Sequence, residues 1–419
     1  MDSNVQVCAR CIYDKRIPNI EFDSEGICNY CRETEGLEIE FPTGEKGWEI
    51  LKNIADRIKR KGSGEKYDVV VGVSGGCDSS YLLYFAKEKL GLRPLAVHFD
   101  NTWNSKMAVE NIYRVTKKLD IDLYTHVVDN KEYNDIYKSF FKASVPEIDT
   151  PADIGLITTL YMAAAKFGIK YIMDGHSFRS EGISPQGWFY MDARYIENIQ
   201  RKFGCRKIKT LPLLKLGKWM KWAMVNRIKR IRPLWYLDYN KAEVKDFLTG
   251  EYGWQWYGGH HMENRSAYFA NNYYLPEKFE IDLRYCEYSA LVRAGQMSRE
   301  EALRKIAEEK PFDMDILSEI KKRLGFSNDE FDYVMNQPKK TFLDYPTYKP
   351  VFERYRWLFW IMYKLDLAPK SFYVKYTKKH TAEEIQTIRN IGNIILPWHA
   401  MQNVQIDKTI SETKIPELA

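Results

Sequence analysis

The sequence predicts an α/β protein: a parallel, doubly wound sheet, with a small cysteine-bearing module before it and a mainly helical region after it. Three observations predict this. Apolar strand candidates at Tyr67–Val73, Pro94–Phe99, Leu123–Val128 and Lys170–Asp174 alternate with helical stretches at 79–90, 105–119 and 153–167, the pattern of parallel strands joined by crossover helices. Two C-x-x-C pairs stand at the N-terminus. From Trp256 onward the pattern turns mainly helical and rich in charge and aromatic residues. The boundaries read as 1–45, 46–255 and 256–419.

Bulk properties fit this division. The 419 residues exceed one small module, and 45% apolar content is enough for substantial cores. Lys+Arg exceed Asp+Glu by 63 − 57, or +6, a mild excess that suits a polyanionic small molecule as well as nucleic acid. No apolar run approaches the roughly 18 residues of a membrane span. The start MDSNVQVCARC has no apolar h-region. The expected location is cytoplasmic.

The first element is the cysteine module. Cys8 and Cys11 form one pair, Cys28 and Cys31 the other. Two intervening residues let one turn aim both sulfurs at a single ion, and two such knuckles complete a tetrahedron. The spacing predicts a closed, structural zinc site contributing on the order of 10 kcal/mol to folding. An iron–sulfur cluster is the competing occupant. The FDSEG turn leads into the second pair, and Arg10, Lys15, Arg16 and Arg32 are the expected counter-charges to the thiolates.

The second element is VVVGVSGGCDSSYLL, a buried strand, a glycine turn and a helix start. Such a junction binds phosphate through backbone N–H groups and the positive end of the helix. The G-x-x-x-x-G-K-[ST] pattern is absent, because no lysine follows the glycines. Ser74, Gly75, Gly76, Asp78 and Ser79 form S-G-G-x-D-S instead. This loop resembles the signature of the PP-loop ATP pyrophosphatases, which include asparagine, GMP and NAD synthetases and several tRNA-modifying enzymes. The resemblance implies that the loop holds the β- and γ-phosphates of ATP as a pyrophosphate leaving group while the substrate becomes adenylated. It also implies that Phe99 and Asp100, ending the second strand, lie beside adenine and ribose. Asp174 and His176 of YIMDGHS then fall near the reacting centre, with Mg²⁺ expected on Asp78 and Asp174.

Residues 199–235 contain Lys and Arg throughout and no Asp or Glu. They read as a basic insertion with a helix near Lys215–Arg230. Trp219 and Trp222 interleave with Lys218, Lys221 and Arg227, so a solvated face, a groove for a sugar nucleotide's pyrophosphate and peripheral contact with an anionic membrane all remain open. RPLWYLDYNKAEVKDFL then reads as a strand, a turn and a helix capped near Asn240.

The C-terminal motifs narrow the class. With CARCIYD, VGVSGGCDSSYLLY and DGHSFRSEG, the segments YGGHHMENR, LPEKFEID and RAGQMSREEAL resemble the N-acetyl sugar amidotransferase family over most of the chain. Such enzymes act in bacterial surface glycan and O-antigen synthesis. The resemblance implies an ATP-dependent conversion of an acetamido group on a nucleotide-activated sugar into an acetamidino group, with AMP and pyrophosphate released. It implies a separate glutaminase subunit and a cyclase-like barrel partner that supply ammonia. Within YGGHHMENR, His261 and Glu263 are the candidate proton acceptors, and His260, Asn264 and Arg265 the candidate substrate contacts; a polar domain interface is the alternative reading. Nucleic acid is not an expected partner. The alternative function is tRNA thiolation, which commonly uses sulfur-carrying cysteines; only Cys77, Cys205 and Cys286 remain for that, and none forms a C-x-x-C pair.

Overall fold

A computed structural model describes residues 5–259, 262–310, 312–365 and 367–391. Five strands, β1 (Val69–Gly72), β2 (Pro94–Asp100), β3 (Leu123–Val127), β4 (Tyr171–Met173) and β5 (Lys229–Ile231), form one sheet in the order β3-β2-β1-β4-β5. Every pairing is parallel; Val71 of β1 lies opposite both Ala96 of β2 and Met173 of β4. The sequence-predicted strands are β1 to β4. The chain runs outward through β2 and β3, then crosses back to β4, so the order reverses between β1 and β4. In open α/β sheets that reversal opens a crevice at the strands' C-terminal ends.

The sheet is apolar on both faces because both are covered. On one face Val69, Val71, Val73, Ala96 and Met173 pack against helices Gly44–Lys61, Cys77–Tyr84, Lys106–Lys118 and Lys241–Tyr252. On the other, Val70, Leu95, Val97 and Ile172 pack against helix Thr150–Lys166 and the helical segment Leu216–Val225. A third core joins the N-terminal cysteines to helix Asn130–Ala143 and the C-terminal helices.

The basic stretch 199–235 differs from its expectation as an insertion. It supplies β5, which pairs with β4 through Ile172↔Arg230. Its helix is shorter than expected, α-helical over Leu216–Met220 and π-helical over Lys221–Val225. Trp219 and Trp222 are buried, 7% and 6% exposed, so neither is available to a membrane. Trp222 stacks on Tyr161 at 5.6 Å. The physical reason is that alternate turns of a basic helix can still supply a core stripe. Pro233–Tyr236 forms a 3-10 turn where a strand was expected, and the next helix, Lys241–Tyr252, is capped by Asn240 as expected. Among the described residues, no helix is long and apolar enough to cross a membrane.

Candidate active site at the glycine loop

The loop after β1 is an open cradle. Gly75 has φ +81°, and a Cβ there would stand 2.2 Å from the Ala108 carbonyl oxygen, so no other residue fits. The Gly75 carbonyl accepts bonds from Trp254 Nε1 (2.9 Å) and Asn111 Nδ2 (3.3 Å), which fixes it away from an incoming anion. Behind it, helix Cys77–Tyr84 starts at Gly76 with no side-chain cap; the Cys77 N–H meets the Tyr257 hydroxyl, and the helix start carries the partial positive charge that favours an anion. Ser74 and Ser79 hydroxyls lie 3.4 Å apart at the mouth.

Two carboxylates flank this cradle. Asp78 pairs with Lys241 Nζ at 3.0 Å through Oδ2, while its buried Oδ1 has no hydrogen-bond partner. Burial works to raise the Asp78 pKa, but the Lys241 ammonium and the Tyr239 hydroxyl together outweigh it and hold the carboxyl below its ordinary range. Glu263 comes from the C-terminal region and accepts a bond from Ser74 Oγ at 3.5 Å. Its Oε1 is 3.4 Å from where a Gly76 Cβ would stand. Carboxylates beside a phosphate cradle would repel the phosphate unless a cation sits between them. The orphaned Asp78 oxygen and the all-oxygen donor set therefore fit a divalent ion of the Mg²⁺ kind.

The segment around Glu263 is stitched to the end of β2. Ser105 N donates to Glu263 O at 2.8 Å, and Arg265 N to Trp103 O at 2.8 Å. Asn264 caps helix Arg265–Phe269 and donates to Asn101 and Asn104 at 2.9 and 3.1 Å, so its bonds are spent on the interface. Arg265 pairs with Glu319. Thus Glu263 meets the loop, whereas Asn264 and Arg265 do not turn to it. His260 and His261 lie outside the described residues.

At the β4 end the expected residues are saturated. Asp174 accepts the His176 N–H at 3.2 Å through Oδ1 and binds Arg230 and, at 3.7 Å, Arg232 through Oδ2. Against burial, the two guanidinium groups hold it well below the carboxylate range. These neighbours are not those expected around a Mg²⁺ ligand: both oxygens are taken. His176 donates to the Gly182 carbonyl at 2.9 Å through Nε2 and accepts from Trp235 Nε1 at 3.3 Å through Nδ1. Burial and Arg232 push its pKa down to about 4, which favours the neutral ring. Phe99 is buried and presses on Gly155, whose Cβ would lie 2.4 Å from its ring. Asp100 Oδ1 accepts from Thr102 N at 2.7 Å and Asn104 Nδ2 at 3.0 Å.

Sequence reasoning missed Lys241, Arg230, Arg232 and His98. Lys241 left a signal: a lysine opening a helix opposes the macrodipole, so a tertiary partner is implied. His98 donates to the Val73 carbonyl at 2.9 Å and accepts from Asn104 at 3.3 Å, bracing β1 against β2 below the loop.

The four cysteines are all fully buried and their sulfurs lie within 4.8 Å of one another. Cys8–Cys31 and Cys11–Cys28 sulfur separations are both 3.8 Å, matching the roughly 3.8 Å edge of a tetrahedron with about 2.3 Å metal–sulfur bonds. The site fits one tetrahedral ion. Three of the four expected counter-charges pair with carboxylates: Arg10 with Glu35, Arg16 with Asp14, and Arg32 with Asp23 and Glu25. Instead Arg293, from over 260 residues away in sequence, donates to Cys31 and Cys11 sulfurs at 3.3 Å each. Arg299 donates to the Cys8 and Cys11 carbonyls. A metal at this site would hold the C-terminal helices as well as its own loop.

Two family models match the chain. Residues 48–155 match the one described as NAD synthase, and residues 263–359 the one described as LPS biosynthesis protein WbpG-like, C-terminal domain. The chain joins a PP-loop ATP pyrophosphatase domain, NAD synthetase-like, to a WbpG-like domain. Together these matches support an ATP-using enzyme of the ligase or amidotransferase type. An uncharacterized protein of Methanocaldococcus jannaschii is 28% identical over 171 residues, 40% of this chain; the match spans 58% of that relative's length. Among solved structures, NMN synthetase from Francisella tularensis aligns at 18% identity over 49% of this chain and 86% of its own, with a TM-score of 0.26. NH3-dependent NAD synthetase from Campylobacter jejuni aligns at 14% identity over 70% and 98%, with a TM-score of 0.27. Both superpositions are loose.

Proposed function

We propose that the protein adenylates the acetamido oxygen of a nucleotide-activated N-acetyl sugar and exchanges that oxygen for ammonia, forming an acetamidino group in surface-glycan synthesis. One observation carries the reading. Glu263, from the WbpG-like domain, reaches the glycine loop of the ATP-binding domain, so the region that would select the substrate is built into the loop that would hold ATP.

The chemistry follows from the loop. An amide carbon is a poor electrophile because oxide is a poor leaving group. Attack of the amide oxygen on the α-phosphorus forms a P–O bond and expels pyrophosphate, which the Gly75–Ser79 cradle and the helix start receive. Ammonia adds to the resulting imidate carbon, a proton is lost, and AMP departs with the former amide oxygen. Holding the nucleophile beside the imidate accelerates addition by proximity. A Mg²⁺ ion on Asp78 Oδ1 and Glu263 would offset phosphate charge. Zinc is the proposed occupant of the four-cysteine site. Ammonia would come from a separate glutaminase subunit with a cyclase-like barrel partner.

The remaining cysteines favour this reading over tRNA thiolation. Cys77 and Cys286 are buried, and burial pushes both thiols up to about 12, away from nucleophilic character. Cys205 is exposed and has no second cysteine in its segment. The test is incubation with ATP, Mg²⁺, ammonium and candidate acetamido sugar nucleotides. The expected products are AMP, pyrophosphate and a sugar nucleotide with oxygen replaced by NH. ADP as product, or AMP formation that requires tRNA, would overturn the proposal.

A further inference from the structure

Helix Arg356–Lys364 is apolar on two opposite faces. Phe359 and Met362 on one side are buried, and Phe359 stacks on Trp219 at 6.2 Å. On the other side Trp357 is 62% exposed, Trp360 47%, Ile361 39% and Leu365 61%. Positions 357, 360, 361 and 365 recur at helical spacing and form one stripe, with Lys364 between them over the Trp360 ring at 5.8 Å. Contiguous exposed apolar surface marks a missing partner. The segment Leu216–Val225, which packs on the helix's buried side through Trp219, exposes Met224 and Val225.

The charges around the stripe are mainly basic. From Arg354 to Leu365 the chain carries Arg354, Arg356 and Lys364, with one carboxylate just before, Glu353, and one just after, Asp366. The nearest upstream carboxylate, Glu353, is paired with Lys349 at 3.1 Å. In the adjoining segment Lys218 and Lys221 are exposed, again with no acid between residues 199 and 235.

We propose that this face docks on an anionic phospholipid bilayer, with Trp357 and Trp360 entering at the headgroup level and the basic rim meeting the lipid phosphates. Indole rings, apolar with one N–H donor, favour that depth, and interfacial helices combine such aromatics with Lys and Arg. A second copy is disfavoured because a two-fold contact would set Arg354, Arg356 and Lys364 against their own counterparts.

The test is flotation of the full chain with vesicles of phosphatidylcholine alone or mixed with phosphatidylglycerol. The expected result is flotation with the anionic vesicles only, reversed by high salt. A Trp357→Ser, Trp360→Ser double variant should lower the bound fraction about tenfold, with an unchanged melting temperature and unchanged AMP formation in solution. No flotation of the wild-type chain, or equal flotation of the double variant, would overturn the proposal. So would a wild-type dimer that the double variant converts to a monomer, which would assign the face to a second copy.

Discussion

At the four-cysteine centre the protein supplies partners from every side, whereas at the glycine loop it leaves bonds unmade. Each sulfur faces three others; Cys8 and Cys11 also accept from backbone N–H groups, and Cys11 and Cys31 from the Arg293 guanidinium. At the loop, a helix start is uncapped and Asp78 Oδ1 is buried without a partner. A closed shell can only hold; an open one can take a ligand. The β4 end belongs with the closed kind, since Asp174 and His176 have all their polar atoms engaged. Chemical type alone does not separate the two carboxylates Asp78 and Asp174. Their unfilled bonds do.

The largest effect should come from opening the closed centre. Cys8→Ser, or chelation of the bound metal, should cost on the order of 10 kcal/mol of folding free energy. Because Arg293 and Arg299 dock on this centre, the C-terminal helices should melt with it. Metal content and thermal unfolding check this; a soluble variant with the wild-type melting temperature would break the comparison. Next is Asp78→Asn, which should lower AMP formation per folded molecule about 10³-fold, roughly 4 kcal/mol of barrier, together with a loss of stability, because Lys241 is left with only Glu181 at 3.6 Å.

Asp174→Asn tests the comparison from the other side. It leaves Arg230 and Arg232 close together with no carboxylate between them. Removing one partner of a buried ion pair costs about 3–5 kcal/mol, so stability should fall while the rate per folded molecule holds. The opposite pattern, a stable protein without AMP formation, would make Asp174 a metal ligand after all.

The sheet was legible because its signals are local. Four apolar strand runs, the S-G-G-x-D-S turn and the C-x-x-C spacings each lie within a few residues, and each is found where the sequence places it. β5 was hidden because Lys229, Arg230 and Ile231 form a three-residue, half-buried strand inside a run of positive charge, so alternation had no length in which to show. The site was half legible for a related reason. Asp78, Asp174 and His176 announce themselves as chemistry-bearing residues, but what each one lacks depends on Lys241, Arg230 and Trp235, which lie 56 to 163 residues away in the chain. Glu263 was singled out, yet its approach to the loop depends on a backbone ladder with Trp103 and Ser105 that no spacing rule predicts.

The smallest effect concerns His176, and its sign is fixed by the same geometry. Burial and Arg232 lower its pKa from 6.5 to about 4 in the folded state, so the unfolded chain binds more protons between those values. Stability linked to this ring is fully present above pH 6.5 and is lost as pH falls through about 4, at most about 3 kcal/mol. Urea unfolding between pH 7 and 4 should show the loss, and His176→Gln, which keeps a donor and an acceptor, should flatten that part of the profile. The AMP-forming rate should show no limb near pH 6.5 that His176→Gln removes, because both ring nitrogens are held by Gly182 and Trp235. A limb that the substitution removes would return His176 to the reacting groups and move the β4 end from the closed kind to the open one.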